Sequence, residues 1–400
     1  MTREPVVPHP DRIDIPAPVL GILEELERAG FETWCVGGAI RDALLGNPQV
    51  DVDLATAAPP AEVRRIFKRT VPVGLEHGTV GVLDQFGELH EVTTFRRDVQ
   101  TDGRHAVVEF GVSLDDDLAR RDFTINAIAW HPVRHEWRDP FGGLEDLDAG
   151  MVRAVGDPAT RFREDRLRIL RALRFAARFD FVIAPDTWEA ARLQVSETVH
   201  LSAERVREEW WKSVSSARDP LEMIRLWQAS GVADVWLGDG AVQPGTALEG
   251  VAPLRDPVLL LAAWRRPVEP VLRRLKASGV EIARGRAIDR GPAAPASSDP
   301  VAVRRWLATV GPAADDLAAL ARTDTEAATW IAAMRGVRAR GEATSRGDLA
   351  VTGDDLVAAG IVTPGPALGR MLAALLALVI DEPGRNTHES LLSAARELQS

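Results

Sequence analysis

The chain has no tyrosine, a single cysteine and only three lysines among 400 residues. The lone cysteine, Cys35, excludes an intramolecular disulfide and suits a reducing compartment. It sits in the apolar run Thr33 to Val36 and reads as a buried, inert thiol. Long hydrophobic runs are also missing. The best membrane-spanning candidate, Met371 to Ile380, falls far short of the ~20 residues a bilayer requires, so no membrane partner is expected. Met1 to Pro18 is rich in proline and charge and has no apolar stretch of the kind a secretory signal needs, which points to the cytoplasm. An excess of positive charge is absent as well. The formal net charge of -11 argues against a protein that simply coats nucleic acid, but leaves room for a local basic surface. Lysine is confined to Lys68, Lys212 and Lys276. This compositional bias leaves arginine to do nearly all the cationic work.

What is present suits a soluble globular protein with more than one core: 46% hydrophobic and 27% charged residues. Residues 20–29 pattern as a helix with Leu20, Leu23 and Leu26 on one face. Thr33 to Val36 and Val50 to Ala55 read as strands, Ala39 to Leu45 and Ala61 to Lys68 as helices. Thr79 to Leu83 and Leu89 to Phe95 read as a hairpin around Gly87. After Asp157-Pro158 the strand signal fades and helical periodicity takes over. A Gly-, Pro- and Ser-rich stretch at 284–300 reads as a loop or linker. The expectation is an α+β head over residues 1–150 followed by helical segments at 151–235, 236–300 and 301–400.

Three constellations carry chemistry. Gly37-Gly38 feeds a helix-like segment, and a Gly-rich turn at a helix start offers backbone N–H groups to an anion. Nine residues after Asp42, Asp51-Val52-Asp53 reads as a strand with both carboxylates on one face. Adjacent like charges are best tolerated with a cation between them, usually a divalent metal. Glu91, in the strand-like Leu89 to Arg96, would complete the set if its strand lies alongside. Two Mg²⁺ ions on three carboxylates would bind a triphosphate and activate an attacking hydroxyl. Next, Asp117 to Asn126 places Arg120, Arg121, Asp122 and Asn126 beside an apolar segment, where they can contact triphosphate and ribose. Last, Arg163 to Phe175 wound as one helix groups Ile169, Leu170, Leu173, Ala176 and Ala177 on an apolar arc. Arg168, Arg171, Arg174 and Arg178 gather opposite. Asp165 and Arg168, three apart, are surface neighbours on such a helix. Cytosine and adenine share an amino donor beside a ring-nitrogen acceptor, and uracil and guanine reverse it. A fixed Asp/Arg pair therefore accepts C and A, and a wrong base leaves polar groups unsatisfied at ~1–3 kcal/mol each.

Taken in order, Gly37-Gly38-x-x-Arg41-Asp42, Asp51-x-Asp53, Arg120 to Ala127, Asp139-Pro140-Phe141-Gly142-Gly143, Glu164-Asp165-x-x-Arg168-x-x-Arg171, and Glu204-Arg205 with Glu208 resemble the bacterial-type (class II) tRNA nucleotidyltransferase and poly(A) polymerase family, within the polymerase β-like superfamily. The resemblance covers residues 30–235. It implies a head with a small mixed sheet and an elongated all-helical neck, body and tail. It also implies Mg²⁺ on Asp51 and Asp53, ribose and triphosphate contacts from Arg121, Asp122 and Asn126, and pairing of Asp165 and Arg168 with the incoming base. Asp139 with Gly142-Gly143 resembles the springy element between head and neck. CTP and ATP would be the substrates and a tRNA 3′ end, with its acceptor and T arm, the partner.

Within the family, full CCA addition, CC-only addition, A-only addition and poly(A) tailing remain open. Leu167 suits the CCA type better than the poly(A) type, as do Thr352 to Leu356 and Pro364 to Gly369. No His-Asp pair occurs, so an appended phosphohydrolase domain is not expected. The loop between Phe95 and Ser113 is slightly shorter than the family pattern. It carries Arg104-His105-Ala106 where Arg-Arg-Pro is expected, but most of the loop, which CC-only members lack, remains, and this favours CCA or A addition over CC alone. Arg205, Arg207, Arg273, Arg274, Arg304 and Arg305 are candidates to extend a basic strip toward RNA, with the acid excess lying elsewhere, as at Asp115-Asp116-Asp117 and Asp315-Asp316. A catalytically silent RNA-binding protein and a small-molecule nucleotidyltransferase are the alternatives from other classes.

Overall fold

Short apolar and β-branched runs build the strands. In chain order these are β1 (Thr33–Val36), β2 (Asp53–Thr56), β3 (Thr70–Gly74), β4 (Thr79–Leu83), β5 (Leu89–Thr94), β6 (Arg96–Thr101), β7 (Ala106–Phe110), β8 (Ala129–His131) and β9 (Glu136–Arg138). Seven of them form one mixed sheet in the order β3-β4-β5-β2-β1-β8-β9, while β6 and β7 pair separately. Only β2 and β5 run parallel within the large sheet. The computed structural model describes residues 13–47, 51–101, 106–238, 241–242 and 245–399, of which 98–101, 106–108, 241–242 and 245–246 are described by their backbone alone.

The period of two along each strand sorts the side chains. Cys35, Leu54, Val92, Val80 and Trp130 share one face and pack on α1 (Ala17–Arg28), on Ala39 and Ile40 of α2 (Gly38–Leu44) and on Val63 of α3 (Pro60–Ile66). Cys35 is fully buried, which pushes its thiol up to about 12. Trp34, Val36, Ala55 and Ala129 take the opposite face with Leu114 and Leu118 of α4 (Leu114–Ala119). Asp53 and Glu91 belong to this second face. Helices then follow: α5 (Gly143–Asp148), α6 (Pro158–Glu164), α7 (Leu167–Phe179), α8 (Pro185–Gln194), α9 (Ala203–Ser216) and α10 (Pro220–Ser230).

The chain divides into two compact units, Met1–Val235 and Trp236–Ser400. The second is helical apart from the short pair Ala241–Val242 and Arg265–Arg266. Its C-terminal part has its own core around Leu356, Leu375, Val379 and Leu391. Among the described residues no helix is long and apolar enough to cross a membrane.

Three expected elements differ. The second strand begins at Asp53, because its partner β1 ends opposite at Val36 and turns away at Gly37. Asp51 and Val52 therefore lie outside the ladder, and Val50 lies outside the described residues, as do Arg104 and His105 of the Phe95 to Ser113 loop. The helix expected through Arg163 to Phe175 breaks at Asp165, which is extended (φ -146°). The Asp165 carboxylate accepts the Leu167 N–H at 3.0 Å, a local alternative to the helical bond. The loop expected at 284–300 is helical as far as Arg290. A capping box of Ser278 and Glu281 starts that helix, Ile288 anchors it in the core, and Arg284 pairs with Asp256 and Asp316.

Candidate active site

The turn closing β1 depends on Gly37, whose φ of 83° is open to glycine at little cost. A Cβ at Gly37 would stand 3.2 Å from an Arg121 guanidinium nitrogen and 3.5 Å from an Asp53 carboxylate oxygen. Gly38 follows, packed against the Arg41 guanidinium at 3.3 Å by the same measure. Asp53 opens β2, and in parallel β5 the pairing of Leu54 with Val92 sets Glu91 on the Asp53 face. Asp53 and Glu91 are thus brought side by side. Asp51 is exposed and lies off the strand and outside the cleft lining, yet its charge still reaches Asp53.

The Asp53 carboxylate meets solvent at the cleft mouth, but protein surrounds it on the other sides. That enclosure, with the charge of Glu91, pushes it up to about 6; Arg121 pulls the other way and Asp51 adds to the rise. Among the described residues the one His, Cys, Asp or Glu triple with ligand atoms within 4.8 Å is Asp84, Glu88 and His90 at the β4–β5 turn. Asp51, Asp53 and Glu91 stand wider apart, as mutually repelling carboxylates do. Hard oxygen donors with an excess of negative charge fit a divalent cation.

Facing the acids is a wall of arginines held by a continuous polar network. Arg171 on α7 binds Asp122 through Nε at 2.7 Å and Nη2 at 2.6 Å. Asp122 also accepts the Asn126 amide at 2.9 Å, and Asn126 in turn accepts from Arg41. Arg41 donates to Asp42 at 2.8 Å, and Asp42 accepts from Arg178 at 3.0 Å. The network leaves α7 at Arg171 and returns at Arg178, two helical turns on. Burial pushes the Asp122 carboxyl up, but the Arg171 charge and the bonds from Asn126 and Phe123 outweigh it and hold it below the ordinary value. Arg120 and Arg121 share the buried Asp117, at 2.9 and 3.2 Å. Arg121 Nε is buried with no acceptor. Arg174 bonds Glu209 of α9 at 2.7 Å, both side chains buried.

These walls enclose one cleft of about 630 Å³, lined by Gly37, Gly38, Asp53, Glu91, Arg121, Asp122, Asn126, Asp165, Arg168 and the α7 arginines. Every site residue expected from the sequence except Asp51 lines it, although Arg41, 3% exposed, mainly braces α2 through Asp42 and Asn126. Asp165 and Arg168 are both present but not bonded to each other through their side chains. Asp165 accepts from Arg205 at 2.8 Å, and Arg168 donates to Glu164 at 2.8 Å and to the Arg120 carbonyl at 2.9 Å. Arg205, expected on an RNA-facing strip, lines this cleft instead. Arg304 of the same expected strip is buried, donating to the Ile380 carbonyl and Glu342 at 2.6 Å each. Asp117, expected among surface acids, is buried under Arg120 and Arg121. Sequence reasoning passed over Phe175 and Arg96, which also line the cleft. The periodicity that buries Phe175 beside Arg171 and Arg174 was its available signal.

Residues 33–153 match the Poly A polymerase head domain family and residues 318–395 the tRNA nucleotidyltransferase domain 2 family. The chain is 36% identical over 406 residues to the CCA-adding enzyme of Limosilactobacillus fermentum, covering 95% of this chain and 96% of that protein. It is 37% identical over 404 residues to that of Leuconostoc citreum, covering 94% and 95%. The structure superposes on the Bacillus stearothermophilus CCA-adding enzyme in complex with CTP with a TM-score of 0.75 and 31% identity, over 96% of this chain and 98% of the other. Similarity of this depth, running almost end to end, makes the chain a member of the family of CCA-adding enzymes.

Proposed function

We propose that this protein adds CMP and AMP residues to tRNA 3′ ends from CTP and ATP, without a nucleic-acid template. The observation that carries the reading is the convergence, in one cleft, of Asp53 and Glu91 with Asp165 and Arg168. About 630 Å³ is within the range of small-molecule sites. The tRNA 3′-hydroxyl attacks the α-phosphorus and gives up its proton by way of Glu91 to solvent, a new P–O bond forms, the bond from the α-phosphorus to the α–β bridging oxygen breaks, and pyrophosphate leaves. Enzymes of this family use a divalent metal. Here the proposed ion is Mg²⁺, held by Asp53 and Asp51, supplying charge neutralisation at the phosphates when bound. Glu91 orients the attacking hydroxyl. Gly37, Gly38, Arg121, Arg171 and Arg174 receive the triphosphate, and the buried donor of Arg121 supports an anionic ligand there. Asp122 and Asn126 hold the ribose side. Arg41, though it braces α2, stays within this nucleotide-binding set.

Asp165 and Arg168 read the base. Each carboxylate oxygen of Asp165 has a further lone pair, and the Arg168 fork carries five N–H donors, more than its present contacts use. Glu164 and Arg205 keep the reading pair oriented. Residues 1–150 serve as the nucleotidyltransferase head, 151–235 as the neck with the base-reading segment, 236–300 as the body and 301–400 as a tRNA-binding tail, in a cytoplasmic protein. The test offers tRNAs ending before CCA, after C and after CC, each with CTP, ATP or both. Two C additions followed by one A are expected. Addition of C alone or A alone would replace this reading by a partial-specificity enzyme, extended A tracts by a poly(A) polymerase. No incorporation on any RNA would leave a silent RNA binder.

A further inference from the structure

Three guanidiniums surround a single neutral ring. The guanidinium carbons of Arg41, Arg171 and Arg174 lie 5.1, 5.3 and 4.4 Å from the centroid of Phe175. Phe175 is 4% exposed, yet it lines the cleft. Its ring is fixed by Phe123, edge-on at 5.7 Å, and by Phe179, stacked at 6.0 Å. The three cations take their carboxylates from three different elements: Asp42 on α2, Asp122 before the Thr124–Asn126 turn, and Glu209 on α9. Asp122 reaches Arg41 through Asn126 as well as Arg171, but no carboxylate joins all three guanidiniums. The ring is the element all three share, and its electron-rich face attracts a cation.

We infer that Phe175 is a positioning residue for nucleotide binding: its ring face sets the spacing and aim of the arginines that receive the triphosphate. The inference rests on the reading of this cleft as a nucleotide site. It requires the electrostatics of the ring, not merely its volume, and it acts on the phosphates common to CTP and ATP.

The experiment replaces Phe175 in the full-length protein with mono-, di- and trifluorinated phenylalanine, which drain the ring face while hardly changing its size. KM for CTP and KM for ATP should rise together with each fluorine, reaching about tenfold at three, while kcat and KM for tRNA stay constant. Phe175→Leu should move both nucleotide KM values the same way. A flat KM across the fluorine series overturns the inference, whatever Phe175→Leu does to folding. Unequal shifts for CTP and ATP also overturn it, because they would make the ring a base contact. Failure of the underlying reading looks different: the unsubstituted protein would then incorporate no nucleotide into RNA.

Discussion

Asp53 carries a charge the folded protein resists. Its carboxyl is pushed from 3.8 up to about 6, so the folded state favours the protonated form. That contribution to stability is fully present below pH 3.8 and is lost as pH rises through about 6. A divalent cation competes with the same proton. Mg²⁺ should therefore stabilise the fold by ~1.4 kcal/mol at pH 8, at ten times its dissociation constant there, and by less at pH 5, with a correspondingly larger rise in melting temperature at pH 8. Asp53→Asn should remove that difference and by itself stabilise the metal-free protein at pH 8. Thermal melts at both pH values check this, and equal Mg²⁺ shifts would contradict it. The base-reading role proposed for Asp165 and Arg168 carries a separate prediction. Arg168→Ala removes one partner of a buried polar match worth ~1–3 kcal/mol. Discrimination against UTP and GTP, measured as ratios of kcat/KM, should fall about tenfold or more, along with the rate. Unchanged ratios would remove Arg168 from base reading.

At the scale of elements, the site depends on how closely the short turn Thr124–Asn126 meets α5. A Cβ on Gly143 would stand 2.2 Å from the Thr124 carbonyl oxygen, a backbone atom that cannot swing aside. Asp139 secures the same junction by accepting the Gly143 and Leu144 N–H groups at 2.7 and 2.9 Å. Gly143→Ala should therefore cost about 1–3 kcal/mol by urea unfolding. It should also lower kcat/KM, because the displaced turn carries Asn126 and with it the Asp122–Arg171 link. Full activity at reduced stability would uncouple the turn from the site. The strands β1, β4 and β5 and the Gly37 turn were legible in the sequence, because their signals are local: alternation, β-branching and a glycine pair. The break at Asp165 was not, since a side-chain cap inside an otherwise helical pattern leaves the period intact. Nor could the sequence tell which arginines are internally bound. Arg171 meets Asp122, Arg178 meets Asp42 and Arg304 meets Glu342 across 49, 136 and 38 residues, and no periodicity encodes such pairs.

For the whole molecule, the proposed function asks how a chain of net charge -11 would hold an RNA. Many arginines of the second unit are already neutralised by neighbouring acids: Arg273 by Glu269, Arg284 by Asp256 and Asp316, Arg305 by Asp381, Arg338 by Asp315. Others, among them Arg274, Arg322, Arg335 and Arg370, are exposed. If about four such side chains meet phosphates, the logarithm of tRNA affinity should fall against the logarithm of salt with a slope of about -3 to -4, roughly a hundredfold between 50 and 200 mM. Replacing Arg322 or Arg335 by Glu should reduce the slope by about one each. Such a change should leave the choice among CTP, ATP, UTP and GTP untouched, because Asp165 and Arg168 lie in the other unit. Filter binding across a salt series, paired with nucleotide competition, separates the two effects. A slope near zero would mean that contacts other than phosphate hold the RNA. A shift in base choice on altering Arg322 or Arg335 would mean that the second unit takes part in selecting the nucleotide, contrary to a cleft that contains the whole reader.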